Sequence, residues 1–158
     1  MRLIRYAMLA LGLTLAVPAL AQNQPTSTDM QILADKVKAD KKALVATNMQ
    51  LTDAEAQSFW PIYDAYQKDL EKINERLART IVEYADAYSK GPLDDATAKR
   101  LLGEMLAVGK AEAALQESYV PRLEKILPGV KVARYIQIEN KIRAVVHYNL
   151  ASKVPLVE

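Results

Sequence analysis

Apolar side chains recur at Phe59, Tyr63, Tyr66, Leu70, Ile73, Leu77, Ile81, Tyr84 and Tyr88. The steps are mostly alternating fours and threes, which keep a single stripe on one face of a helix. Lys68, Asp69, Glu71, Lys72, Glu75 and Arg76 fill the positions between, as on a solvated face carrying local ion pairs. No glycine interrupts the chain from Leu51 to Lys90. Thr52-Asp53-Ala54-Glu55 has the form of a capping box, in which the threonine hydroxyl and the glutamate carboxylate each take an otherwise unpaired amide of the first turn. The pattern predicts a helix about 55 Å long at 1.5 Å per residue. Pro61 falls inside it and predicts a kink or a boundary. Lys90-Gly91-Pro92 predicts its end.

A second arm follows. Asp94 or Asp95 is placed to cap it, and Leu101, Met105, Val108, Leu115, Tyr119 and Ile126 keep near-helical spacing as far as Leu127-Pro128-Gly129. Ala107, Ala111, Ala113 and Ala114 thin its middle, where another helix could approach closely. Two long arms joined by a tight turn predict an antiparallel hairpin, with Pro61 and Pro121 at similar height. Before the hairpin, Met30, Leu33, Val37 and Leu44 predict a first helix over about 29–48, broken at Asn48 to Leu51. After it, Val130-Lys131-Val132 and Ile136-Gln137-Ile138 alternate like a strand, yet Val132, Tyr135, Ile138, Ile142 and Val145 fit a helix. A lone strand would have no partner here, so a fourth helix is expected. The predicted fold class is all-α: a long antiparallel helical hairpin braced by a first and a fourth helix and completed by dimerisation.

The start of the chain changes the charge picture. Arg2 and Arg5 precede an apolar run from Ala7 to Val17, and Pro18-Ala19-Leu20-Ala21 supplies small residues at the positions a signal peptidase reads. The run is short of the roughly 20 apolar residues of a membrane span. The expected organisation is a secretory signal over 1–21, a polar leader over 22–28, one helical domain over 29–151 and a tail over 152–158 that leaves the helix at Pro155. The full chain carries 21 basic and 19 acidic residues, and loss of Arg2 and Arg5 leaves 19 of each. A neutral chain has no general electrostatic reason to bind nucleic acid. Nor is stable membrane insertion expected after cleavage. A periplasmic location follows as an expectation.

The chain has no cysteine and a single histidine, His147. Thiolate chemistry is thereby excluded, and a structural zinc site is not expected. Glu71 and Glu75, or Asp94 and Asp95, could serve acid–base chemistry, but a solvated face and a helix cap explain them more simply. With no nucleophile motif and no phosphate loop, neither an enzyme nor a cofactor is expected. Contact with other polypeptides is the more natural use of a long helical face. Tyrosine pairs an apolar ring with a polar tip and tolerates partial exposure. Tyr63, Tyr66, Tyr84, Tyr88 and Tyr119 are therefore candidate client or partner contacts, the alternative being rings that bridge two helices. Phe59 is expected in the core, while Trp60 is open between core, dimer contact and client contact. Lys36, Lys38, Lys41 and Lys42 form a basic cluster, read either as a solvated face or as a patch for acidic clients or anionic head groups.

Leu51-Thr52-Asp53-Ala54-Glu55, followed by Phe59-Trp60-Pro61-Ile62-Tyr63, resembles the opening of the Spy/CpxP-like periplasmic proteins, the LTXXQ-motif superfamily. Leu127-Pro128 and the Arg134, Gln137, Glu139 segment extend the resemblance over roughly 45–150. Glu55 stands where the motif closes on glutamine, and the second copy is represented by Leu93-Asp94-Asp95-Ala96-Thr97. The resemblance implies a cradle-shaped, all-helical homodimer that holds unfolded envelope proteins without ATP. Some members instead restrain a sensor kinase through its periplasmic domain, which is the alternative function expected here. Leu51, Thr52, Glu55, Phe59, Pro61, Arg134, Gln137 and Glu139 are its structural motif residues.

Overall fold

A computed structural model describes residues 39–157 of the chain. Among these residues four segments are helical and none forms a strand: α1 over 39–49, α2 over Asp53–Tyr88, α3 over Asp95–Glu124 and α4 over Gly129–Ala151. The signal, the leader and the Met30, Leu33 and Val37 face lie outside the described residues. No described helix is long and apolar enough to cross a membrane.

Local chemistry sets the helix ends. The Thr52 hydroxyl accepts from the Glu55 amide at 3.3 Å, and the Glu55 carboxylate accepts from the Thr52 amide at 2.8 Å. These two bonds complete the capping box at the start of α2. Asp94, the second cap, accepts from the Thr97 amide at 2.9 Å. Between α1 and α2 the chain turns through Gln50, whose φ is 49°. At the hairpin turn Gly91 takes φ 123°, a backbone angle that side chains disfavour. Both α2 and α3 run unbroken through Pro61 and Pro121. Neither proline is a boundary. Each is exposed, so water can reach the carbonyl its missing N–H leaves unpaired.

Cross-links between α2 and α3 have the register of an antiparallel hairpin. Tyr119 donates to Asp69 at 2.8 Å, Arg76 meets Glu104 at 2.8 Å, and Arg100 meets Glu83 at 2.7 Å. Partners on α3 fall in number as those on α2 rise. The helix α4 runs back along the hairpin, with Gln116 and Glu112 of α3 bonding Asn140 and Arg143. Its helical period beats the strand-like alternation, since Val132, Tyr135 and Ile138 are buried while Val130 is exposed. Beyond Ile142 the apolar stripe ends in solvent: Val145 is 61% exposed, against the expectation from its spacing.

The core sits at the end of the hairpin away from Gly91. Val45 and Met49 of α1 pack there with Phe59, Tyr63 and Tyr66 of α2, Tyr119 and Leu123 of α3, and Tyr135 of α4. This base is bound by aromatic edges: Tyr135 meets Phe59 at 5.1 Å and 86°, and Tyr66 meets Tyr119 at 5.2 Å and 78°. Leu44, expected on the inner face of the first helix, is exposed, because the helix presents Val45 and Met49 instead. Met105 is also exposed, and Ala113 and Ala114 face solvent, so only Ala107 and Ala111 narrow an inner side of α3.

Candidate functional site

The motif residues at the base form a brace between the α1–α2 turn and α4. Lys131 of α4 reaches both Glu55 and the backbone carbonyl of Gln50, the latter at 3.1 Å. Arg134 donates to the Gln50 side chain at 3.2 Å. The Lys131 hydrogen bond, followed by the Thr52 amide, holds the Glu55 carboxyl below the usual carboxylate range. Leu51 packs on the core, Phe59 is fully buried and Gln137 is exposed beside Arg134.

Glu139 is the most consequential of the motif residues. Its side chain is 3% exposed and one oxygen takes Lys41 of α1 at 2.8 Å. The other takes Gln67 of α2 at 2.9 Å, and the same Gln67 amide donates to the Tyr135 hydroxyl at 3.4 Å. Lys41 bonds Gln67 as well, at 2.8 Å. The four groups close a polar knot that joins α1, α2 and α4. No buried side-chain polar atom lacks a partner among the described residues. Lys41 is therefore an interior counter-ion, and Lys42 pairs with Asp64 at 2.7 Å while lying 5.1 Å over the Trp60 ring. Lys36 and Lys38 fall outside the described residues.

The aromatic candidates separate into two groups. Tyr63, Tyr66 and Tyr119 are 2%, 2% and 4% exposed, so the core alternative describes them and the client-contact reading does not. Their phenols follow. Burial, then the nearby Glu139 charge, pushes Tyr66 up to about 12 and raises Tyr63 further. Burial and the bond to Asp69 raise Tyr119. Trp60 is half-buried, edge-on to Phe59 at 5.1 Å and to Tyr63 at 5.3 Å. Tyr84 and Tyr88, also half-buried, stack near the turn at 5.9 Å and 29°.

Above the base the hairpin is more open. A groove of about 320 Å³ runs between α2 and α4, floored by Leu70, Leu77, Ile81, Ile142, Val146 and Leu150. Charged side chains also line it: Glu112, 4% exposed, takes Arg143 at 3.4 Å and lies 3.8 Å from His147. His147 is half exposed, in keeping with a surface histidine. Val82, Leu102, Leu106 and Val145 are each more than half exposed on the same distal part of the molecule. Sequence periodicity placed Val145 on a packed face but could not show that packing on α4 stops short of it, while Leu77, Leu101 and Val108 stay buried between the arms of the hairpin. Among the described residues no cluster of three or more histidine, aspartate or glutamate side chains could hold a metal ion.

No family model, no curated protein and no solved structure matches this chain.

Proposed function

We propose that the protein holds non-native segments of other polypeptides, without nucleotide and without chemistry, on the distal half of its helical hairpin. One observation carries this reading: the aromatic core closes the base, whereas the distal half holds both an apolar groove lined in part by charged side chains and large apolar side chains left in solvent. Apolar contact yields roughly 25 cal/mol per Å² removed from water. A shallow face therefore attracts many segments weakly and selects none. Charges such as Arg143 and Lys141 along α4 steer approach and keep the bound segment solvated. The motif resemblance to Spy/CpxP-like proteins and the export-like start of the chain support the same reading, in the periplasm. Dimerisation would place two such faces on one particle.

The test is suppression of light scattering by a chemically unfolded client, using residues 22–158, with the oligomeric mass measured in the same buffer. Suppression at equimolar dose without ATP is expected. A folded protein that leaves aggregation unchanged but forms a saturable one-to-one complex with one envelope protein would replace holding by a regulatory role.

A further inference from the structure

Residues 154–157 do not hang free. At the hairpin tip a second groove of about 280 Å³ lies between α2 and α3, walled by Ile81, Tyr84, Leu101, Leu102 and Met105. Val154, Pro155, Leu156 and Val157 line the same groove. The chain can leave α4 here because Pro155 has no N–H and pushes Val154 out of the helical region. Tyr84 then donates its hydroxyl to the Pro155 carbonyl oxygen at 2.8 Å. The seat is partial. Leu156 remains 87% exposed and Val157 56% exposed, while Leu102 and Met105 stay open at 59% and 45% on the wall beside them.

Each feature of this contact is sequence-tolerant. A backbone carbonyl is common to every peptide, and the walls offer apolar surface without a deep side-chain socket. We propose that the tip groove is a binding site for extended apolar peptide segments, and that residues 154–157 are its resident occupant, displaced when an incoming segment arrives. This inference rests on the client-holding reading and assigns it a second, gated surface. A tail tethered a few residues beyond α4 competes at an effective concentration on the order of millimolar. A single short peptide must reach that range to displace it. A long unfolded chain, presenting many segments at once, exceeds it at far lower concentration. The open Leu102 and Met105 side chains give an incoming segment a place to start before the tail leaves.

The full chain lacks cysteine, so Val154→Cys allows one environment-sensitive fluorophore to be attached at a partly buried tail position that lines the groove. Emission is read with the groove intact and with Leu102→Asp, which puts a carboxylate on the wall. Circular dichroism checks that both remain helical. The titrant is the peptide Ser-Lys-Val-Pro-Leu-Val, with a control carrying serine for its two valines and leucine. The expected result is blue-shifted emission in the intact groove, and saturable return to the Leu102→Asp value at millimolar peptide but not control. Equal emission in the two backgrounds, or no response to the peptide, overturns the proposal. Displacement by peptide without any suppression of client aggregation keeps the groove and removes client holding. Suppression without displacement does the reverse.

Discussion

Replacing Lys41 by methionine isolates the polar knot at the base. Glu139 is 3% exposed and would be left with only the neutral donor Gln67. Losing a hydrogen bond between charged groups costs about 1.5–3 kcal/mol. Leaving a buried charge wholly uncompensated costs about 3–5 kcal/mol. The remaining Gln67 donor, and the 17% exposure of Lys41, keep this case near the lower range. We expect a loss of about 2–3 kcal/mol, or roughly 6–12 °C in Tm for a domain of this size. Replacing both partners, Lys41→Met with Glu139→Leu, removes charge and desolvation together and should recover most of that loss. The cycle is measured by urea unfolding, with Lys41→Met, Glu139→Leu and the double variant compared at equal m-value. A coupling near zero, or a Lys41→Met change below about 0.5 kcal/mol, would refute the reasoning. It would mean that α1 does not seal α2 to α4.

Phe59→Ala, at a fully buried position in the aromatic cluster, should cost about 3–5 kcal/mol in the same assay, whereas Pro61→Ala two residues away should not destabilise. Thr52→Ala should cost about 1 kcal/mol through loss of the α2 cap. Because Glu55 is held below its ordinary value, its contribution is present above about pH 4.3 and disappears as pH falls through the lower folded value. Lys131→Met should flatten that acid limb of a Tm-against-pH curve. The buried phenols act at the other end. Tyr66, raised to about 12, supports the fold below about pH 10 and loses that support as pH rises toward its folded value. Tyrosinate absorbance and helical circular dichroism should therefore change together in that interval for the buried rings.

Much of the fold was legible because it rests on local rules. The capping box at Thr52 and Glu55, the Asp94 cap and the Gly91 turn depend on residues within four positions of one another. Helix and strand readings of 130–151 were separable because Val132, Tyr135 and Ile138 share a helical face. Pairing between helices was less legible. Periodicity assigns a face and not its neighbour, so Leu44 looked inward while Val45 and Met49 do the packing. Lys41 looked like surface charge because its partner Glu139 lies 98 residues away. The same limit governed the candidate site. Tyr63 and Tyr84 occupy one stripe, but Val45 and Met49 of the described part of α1 pack at the base, so the first is core and the second stands beside the tail. Nothing in a lone Val-Pro-Leu-Val ending signals that it seats against Tyr84.

Photo-crosslinking tests client holding most directly. A benzophenone side chain is introduced in place of Val146, on the distal groove, or in place of Gln57, on the exposed side of the base. Each variant is mixed with a chemically unfolded client during dilution from denaturant and irradiated. Holding on the distal half predicts client adducts at position 146, few at 57, and loss of both when the client is first allowed to fold. Equal adducts at the two positions, or none at 146 while aggregation is still suppressed, would contradict it.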